Sequence, residues 1–318
     1  MTRLGVLSNA RSTRNRRRIE PMRRLLADHP DIPHVELDAI EHLPAALSGL
    51  ARAGTEVIVV NGGDGTAISI LSELRNRSPF AREPGVAVLA GGNTNMIAAD
   101  VGITGRPTRA MGRLIDAARA DAAMESVSRH LIRVERDGNE PPLYGMFFAT
   151  AGIYRGIKLA HRAVHPLGVR HRAADTLGLL LSAWRLLVAG SEDRLLAPQR
   201  IGIGFDGATP VEADYAILLV TTMNRLMLGA RPYWGEGPAA LHFSAVRYPA
   251  HRPFLSFAPM LFGRPSARMR AHGYESRNAD SVALAFTAPF ALDGEEFEPL
   301  PGVPVRLSDG GMQRFLRV

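Results

Sequence analysis

At 318 residues the chain is long enough for two domains with separate cores, and its 46% hydrophobic and 22% charged content is that of an ordinary globular protein. The absence of cysteine excludes disulfides, thiolate catalysis and cysteine-based zinc sites, and no apolar run reaches the roughly 18 residues of a membrane-spanning helix. The net charge is +7, and all but one of the 38 basic residues are arginine, the better planar partner for phosphate oxygens; Lys158 is the sole lysine.

Residues 1–125 read as strand, turn and helix repeated, the pattern of an α/β domain with a parallel sheet. Met1 precedes a short apolar strand, Leu4 to Ser8, and then arginines, which is neither a signal nor a transit peptide, so the cytoplasm is the expected compartment. The first helix runs through Leu26, and Arg11, Arg14, Arg16, Arg17, Arg18, Arg23 and Arg24 crowd this early segment. A solvated helix face and attraction to an anionic membrane or substrate phosphate both account for them. No interleaved aromatics or binding motif point to nucleic acid. A strand at His34 to Leu37 and a helix at Pro44 to Ala53 follow. Glu56 to Val60 is a buried strand with a helix from Thr66 to Leu74, and Gly85 to Leu89 is another strand, followed by a short helix and a last one at Arg109 to Ala118.

From about residue 126 to 308 the texture is that of a β-rich domain, and residues 309–318 could return to the first one. Strand character appears at Leu131–Glu135, Leu143–Ala149, Ile201–Phe205, Tyr215–Thr222, Ala239–Val246, Met269–Tyr274, Ser281–Phe286 and Val303–Leu307. Asp-Gly pairs at Asp137, Asp206 and Asp309 read as hairpin turns. An apolar helical insert near 173–188 reads as a buried helix in preference to one wall of a lipid-admitting groove.

Three loops share one geometry: Asn9-Ala10-Arg11-Ser12, Gly62-Gly63-Asp64-Gly65-Thr66 and Gly91-Gly92-Asn93-Thr94-Asn95 each follow a strand and precede a helix. In a parallel sheet such loops gather at the carboxyl edge, where free helix N–H groups and glycines suit phosphate. The second loop is neither a Walker A motif nor the Gly-x-Gly-x-x-Gly of a dinucleotide site. Asp64 within it would repel phosphate unless a divalent cation bridged the two, which makes Asp64 a candidate magnesium-linked residue, directly or through water. A plain tight turn with Asp64 capping the helix is the structural alternative. Near the carboxyl end, Asp293-Gly294-Glu295 follows the apolar run Phe290-Ala291-Leu292 and offers a carboxylate to take a proton from a hydroxyl acceptor.

With Asn9, Ser12, Gly62 to Thr66, Asn95, the Ala151-Gly152 turn and Asp293-Gly294-Glu295 in place, most of the chain resembles the bacterial branch of the diacylglycerol kinase family of lipid kinases. The resemblance implies an α/β nucleotide-binding domain followed by a β-sandwich domain, with the active site in the cleft between them. It implies that Asn9, Ser12, Gly62, Gly63, Asp64, Gly65, Thr66, Gly92, Asn93 and Asn95 bind ATP, that Asp64 holds Mg2+, and that Glu295 is the general base deprotonating a lipid hydroxyl. Two features depart from the family pattern. The family's counterpart of the third loop usually reads Gly-Thr-x-Asn-Asp, whereas this chain has Gly92-Asn93-Thr94-Asn95-Met96, and the Asp-Gly pair that supports a structural magnesium is replaced at Trp234-Gly235-Glu236-Gly237-Pro238. The expected partners are a lipid with a free hydroxyl and an anionic inner-membrane surface, with room for a homodimer. Two alternatives stand beside this reading: a kinase of a soluble acceptor such as NAD, against which this chain lacks the Asn-Glu pair that NAD kinases show after the third loop, and a non-catalytic nucleotide- or lipid-binding relative.

Overall fold

The computed structural model describes residues 2–12, 15, 19–92, 95–103, 105–120, 124–136, 139–164, 196–226 and 229–318; the helical insert expected near 173–188 lies outside them. Four strands, β1 (Leu4–Asn9), β2 (His34–Leu37), β3 (Val57–Gly62) and β4 (Gly85–Ala90), lie parallel in the order β2-β1-β3-β4. Helices α1 (Ile19–Ala27), α2 (Leu43–Arg52), α3 (Asp64–Arg77), α4 (Met96–Asp100) and α5 (Pro107–Arg119) connect or flank them.

The strand sequences explain why both faces are covered. Alternate residues of each strand feed opposite cores: Leu7, Ile58, Val60, Val86 and Val88 pack with α2 and α3, while Leu4, Val6, Val57, Val59 and Leu89 pack with α1 and α5. The chain leaves β1 toward β2 and then crosses back over β1 to reach β3. The carboxyl ends of β1 and β3 therefore sit at the point where the winding reverses, the place where ligands bind in such sheets.

The second half is β-rich and antiparallel. It comprises β5 (Glu125–Glu135), β6 (Leu143–Gly145), β7 (Phe147–Ala151), β8 (Gln199–Phe205), β9 (Val211–Thr221), β10 (Leu241–Arg247), β11 (Tyr274–Ala279), β12 (Ser281–Ala285), β13 (Phe290–Leu292), β14 (Glu295–Phe297) and β15 (Val305–Arg317). Helix α6 (Gly152–Val164) follows β7, and α7 (Pro253–Leu261) and α8 (Ala267–Ala271) lie between β10 and β11. The expected α/β unit followed by a β-rich unit is what the chain forms, and one continuous ladder of 15 strands joins them. The join is β15, which pairs antiparallel with β5 and β12 and, through Phe315 opposite Val86, parallel with β4.

Several local expectations change. The single strand at 143–149 is two, because Met146 leaves the ladder to donate its N–H to Asp293 Oδ2 (2.9 Å) while its carbonyl accepts from Thr222 N–H (3.0 Å) and Thr221 Oγ1 (2.8 Å). Residues 267–271 are helical, not extended, with Ser266 Oγ accepting from Met269 N–H (3.2 Å) as N-cap. Asp309-Gly310 is no hairpin turn: the strand continues past a bulge, with Asp309 Oδ1 accepting from Gly311 N–H (2.8 Å). The Ala151-Gly152 pair is a strand-to-helix junction, Ala151 at φ 55° and Gly152 opening α6.

Candidate active site

The loops after β1, β3 and β4 meet at the winding reversal. The second and third are in backbone contact: a Cβ on Gly92 would lie 2.5 Å from the Gly63 Cα, and one on Gly91 would lie 2.8 Å from the Gly62 carbonyl oxygen. Only residues without a Cβ allow this approach. Gly63 is the N-cap of α3 and supplies no side chain, so the first-turn N–H groups of that helix face outward without a capping oxygen.

Side chains fix the loops to one another. Asn9 Nδ2 donates to Thr66 Oγ1 (2.9 Å), and its Oδ1 accepts from Arg11 N–H (2.9 Å). Asn15, unremarked in the sequence amid its arginines, donates its amide to the carbonyls of Asn9 (3.0 Å) and Asn61 (2.8 Å), tying the first loop to the second. Ser8 Oγ accepts from the Asn61 amide (3.0 Å) and meets His34 Nε2 (2.9 Å). The Ser12 N–H donates to the Asn9 carbonyl (3.2 Å), and its hydroxyl is buried with no partner among the described residues. Asn95 sits in the left-handed region at φ 52°, and its side chain is spent on its own loop, accepting from Gly92 N–H (2.7 Å) and donating to the Gly92 carbonyl (2.7 Å). Asn93 lies outside the described residues.

Asp64 does not cap its own helix. Its carboxylate accepts the N–H groups of Met96 (3.1 Å) and Ile97 (3.2 Å) at the start of α4. Burial pushes its pKa up to about 6, a rise opposed by those N–H groups and helped by the charge of Glu295.

Glu295 reaches this cluster from the far end of the chain. A Cβ on Gly65 would collide with the Glu295 carboxylate, so the glycine is what lets the acid lie over the start of α3. The hairpin that delivers it turns on Asp293 and Gly294, at φ 46° and 92°, with Leu292 paired to Glu295. Two residues of positive φ make the tight turn that Asp-Gly favours. Asp293 is also fully enclosed: Oδ2 takes the Met146 N–H, its own N–H donates to the Phe147 carbonyl (2.7 Å), and Oδ1 has no partner among the described residues. Burial raises its pKa well above the ordinary aspartate value. Glu296, pointing away from Glu295 as alternation along a strand requires, accepts from Tyr154 Oη and from Lys158 Nζ (3.1 Å) on α6. The sole lysine was the one sequence signal for this anchor.

The structure thus brings Asn9, Ser12, Gly62 to Thr66, Gly92, Asn95 and Glu295 to one place. Residues 3–127 match the family model of the diacylglycerol kinase catalytic domain. No curated protein matches the sequence. A solved structure of a diacylglycerol kinase from Bacillus anthracis strain Sterne has a TM-score of 0.63 at 14% identity, over 99% of this chain and 96% of that one. Another, of a candidate diacylglycerol kinase from the same strain, gives 0.66 at 14% identity over 99% and 97%. Likeness at that identity establishes the fold. Among the described residues, no helix is long and apolar enough to cross a membrane. Residues 3–127 are accordingly similar to the diacylglycerol kinase catalytic domain, and the whole chain shares the two-part fold of the Bacillus structures.

Proposed function

We propose that the chain is an ATP- and magnesium-dependent lipid kinase that phosphorylates a hydroxyl of a diacylglycerol-like lipid. The observation that carries the reading is the Glu295 carboxylate packed over Gly65 at the open N-terminus of α3. A carboxylate in that position supports the reading of a proton acceptor beside a phosphate cradle. The matched domain supports a lipid as the acceptor.

The residues fit a magnesium–triphosphate. Asp64 supplies hard oxygen donors, and the charge of Glu295 beside it raises the cost of its ionisation until a cation balances it. The Ser12 hydroxyl, which has no partner among the described residues, and the first-turn N–H groups of α3 supply donors for phosphate oxygens. Magnesium, when bound, neutralises charge on the phosphates as it develops. The chain's own contribution is positional. Asn9, Asn15 and Asn95 hold the loops rigid, the glycines admit the phosphates, and Glu295 takes the proton of the attacking hydroxyl as its oxygen bonds to the γ-phosphorus and ADP leaves.

Replacing Glu295 by glutamine keeps the shape and removes the base. We expect turnover on lipid to fall by roughly 10²- to 10⁴-fold while nucleotide affinity, read by calorimetry, is kept. Unchanged turnover would remove Glu295 from the mechanism.

A further inference from the structure

The charge most visible in the sequence is partly neutralised in the fold. Of the arginines around α1, Arg23 is held bidentate by Glu36 (2.6 and 2.7 Å) and Arg24 lies 3.5 Å from Glu20. A different surface combines unpaired basic charge with exposed apolar side chains. From Tyr248 to Tyr274 there is no acidic residue, but there are Arg252, Arg264, Arg268 and Arg270 with His251 and His272. All four arginines are exposed, and none has a carboxylate partner among the described residues.

Helix α7 lies within this stretch. Its inward side buries Ser256 and Met260, the latter in a small core with Val246, Met269 and Tyr274. Its outward side presents Leu255, Ala258 and, one residue past the last turn, Phe262, the i, i+3, i+7 spacing of one helical face. Leu255 is 72% exposed and Phe262 54%, and Tyr248 nearby is 42% exposed. Large side chains left this bare on an otherwise well-packed protein mark an interaction surface. His251 and His272 stack at 4.0 Å between centroids, and the pKa of His251 is lowered by burial and then by the charges of His272, Arg268 and Arg252, an uncompensated positive field.

We infer that the α7–α8 face docks on an anionic lipid bilayer, Leu255 and Phe262 entering the headgroup layer while Arg252, Arg264, Arg268 and Arg270 meet lipid phosphates. Apolar residues ringed by arginine are what such a surface attracts. A second copy of this chain fits poorly, because a twofold contact would set Arg252, Arg264, Arg268 and Arg270 of one copy against the same arginines of the other.

The test is co-sedimentation of the full chain with vesicles of neutral phosphatidylcholine, with and without 30 mol % phosphatidylglycerol. We expect pelleting with the anionic vesicles, loss with rising salt, and a decrease in partitioning of at least about tenfold for Leu255→Asp/Phe262→Asp. Arg264→Glu/Arg268→Glu should weaken binding in the same direction. Both pairs are exposed, and an unchanged melting temperature shows that the variants fold. Wild type failing to bind anionic vesicles would overturn the inference, as would double variants binding as well as wild type. A dimer in solution that Leu255→Asp/Phe262→Asp dissociates, with no vesicle binding, would assign the face to a second copy instead. The readout is binding, so it stands or falls separately from the kinase reading.

Discussion

Asp64 and Asp293 are both buried acids, but different chemistry awaits them. Asp64 faces Glu295 and two N–H groups of α4, and burial raises its pKa to about 6. A proton then competes with any cation at this carboxylate. Below about pH 6 the apparent magnesium affinity, measured with nucleotide present, is expected to fall by up to about tenfold per pH unit, and above it to level off. Affinity independent of pH between 5 and 8 would show that Asp64 does not hold the metal. Asp293 instead organises the hairpin and the Met146 bend. Its raised pKa means that the folded state holds the proton more tightly than the unfolded chain. The stabilisation is therefore fully present below the ordinary carboxylate value near 4 and is lost as pH rises. Asp293→Asn keeps an oxygen for Met146 N–H and suits the turn. It should raise the melting temperature at pH 8 by roughly 2 to 4 °C, with the gain vanishing at acid pH. A lower melting temperature at pH 8 would mean that the ionised acid is stabilising. Glu295 could be proposed from its Asp-Gly-Glu context, but nothing local to it foretold that it lies over Gly65, because that contact depends on the whole hairpin.

At the scale of elements, the site is a contact between two glycine loops, and the glycines are there for space. Gly92→Ala would drive a methyl into the Gly63 backbone, which has no flexible end to give way. The loops must part, at a cost of about 1 to 3 kcal/mol, and we expect nucleotide affinity to fall by about tenfold or more in calorimetry. Affinity within twofold of wild type would show that the two loops do not jointly bind the phosphates. These loops were legible because a run of β-branched residues, Val57 to Val60, ends abruptly in glycine and aspartate, a local pattern with one common outcome. Where several contacts decide, the sequence was less informative. Met146 breaks a strand because a carboxylate on a distant hairpin takes its N–H. Residues 267–271 coil because Ser266 caps them, and helix α6 was unforeseen because Gly152 at its start read as a turn. Asn15 escaped notice because an asparagine among arginines has no pattern, only partners.

For the molecule as a whole, α3 is the element that makes one site from two halves. Its first turn is the phosphate cradle, Ile70 and Leu71 pack into the core shared with α2, and Ile68 packs into the β-rich core. Residues of both halves thereby meet at a single helix end, with β15 bracing the arrangement from the opposite strand edge. The order α/β then β was readable from texture along the chain, whereas the shared ladder depends on pairing between strands remote in sequence. The central claim is transfer of a phosphoryl group to a lipid hydroxyl at this junction. It is tested most directly by incubating the full chain with γ-labelled ATP, magnesium and a total lipid extract, with Asp64→Ala as control. The account predicts label in an organic-extractable lipid phosphate with wild type and none with Asp64→Ala, although that variant folds. Label appearing in NAD or another soluble acceptor and in no lipid, or equal lipid labelling by Asp64→Ala, would contradict it.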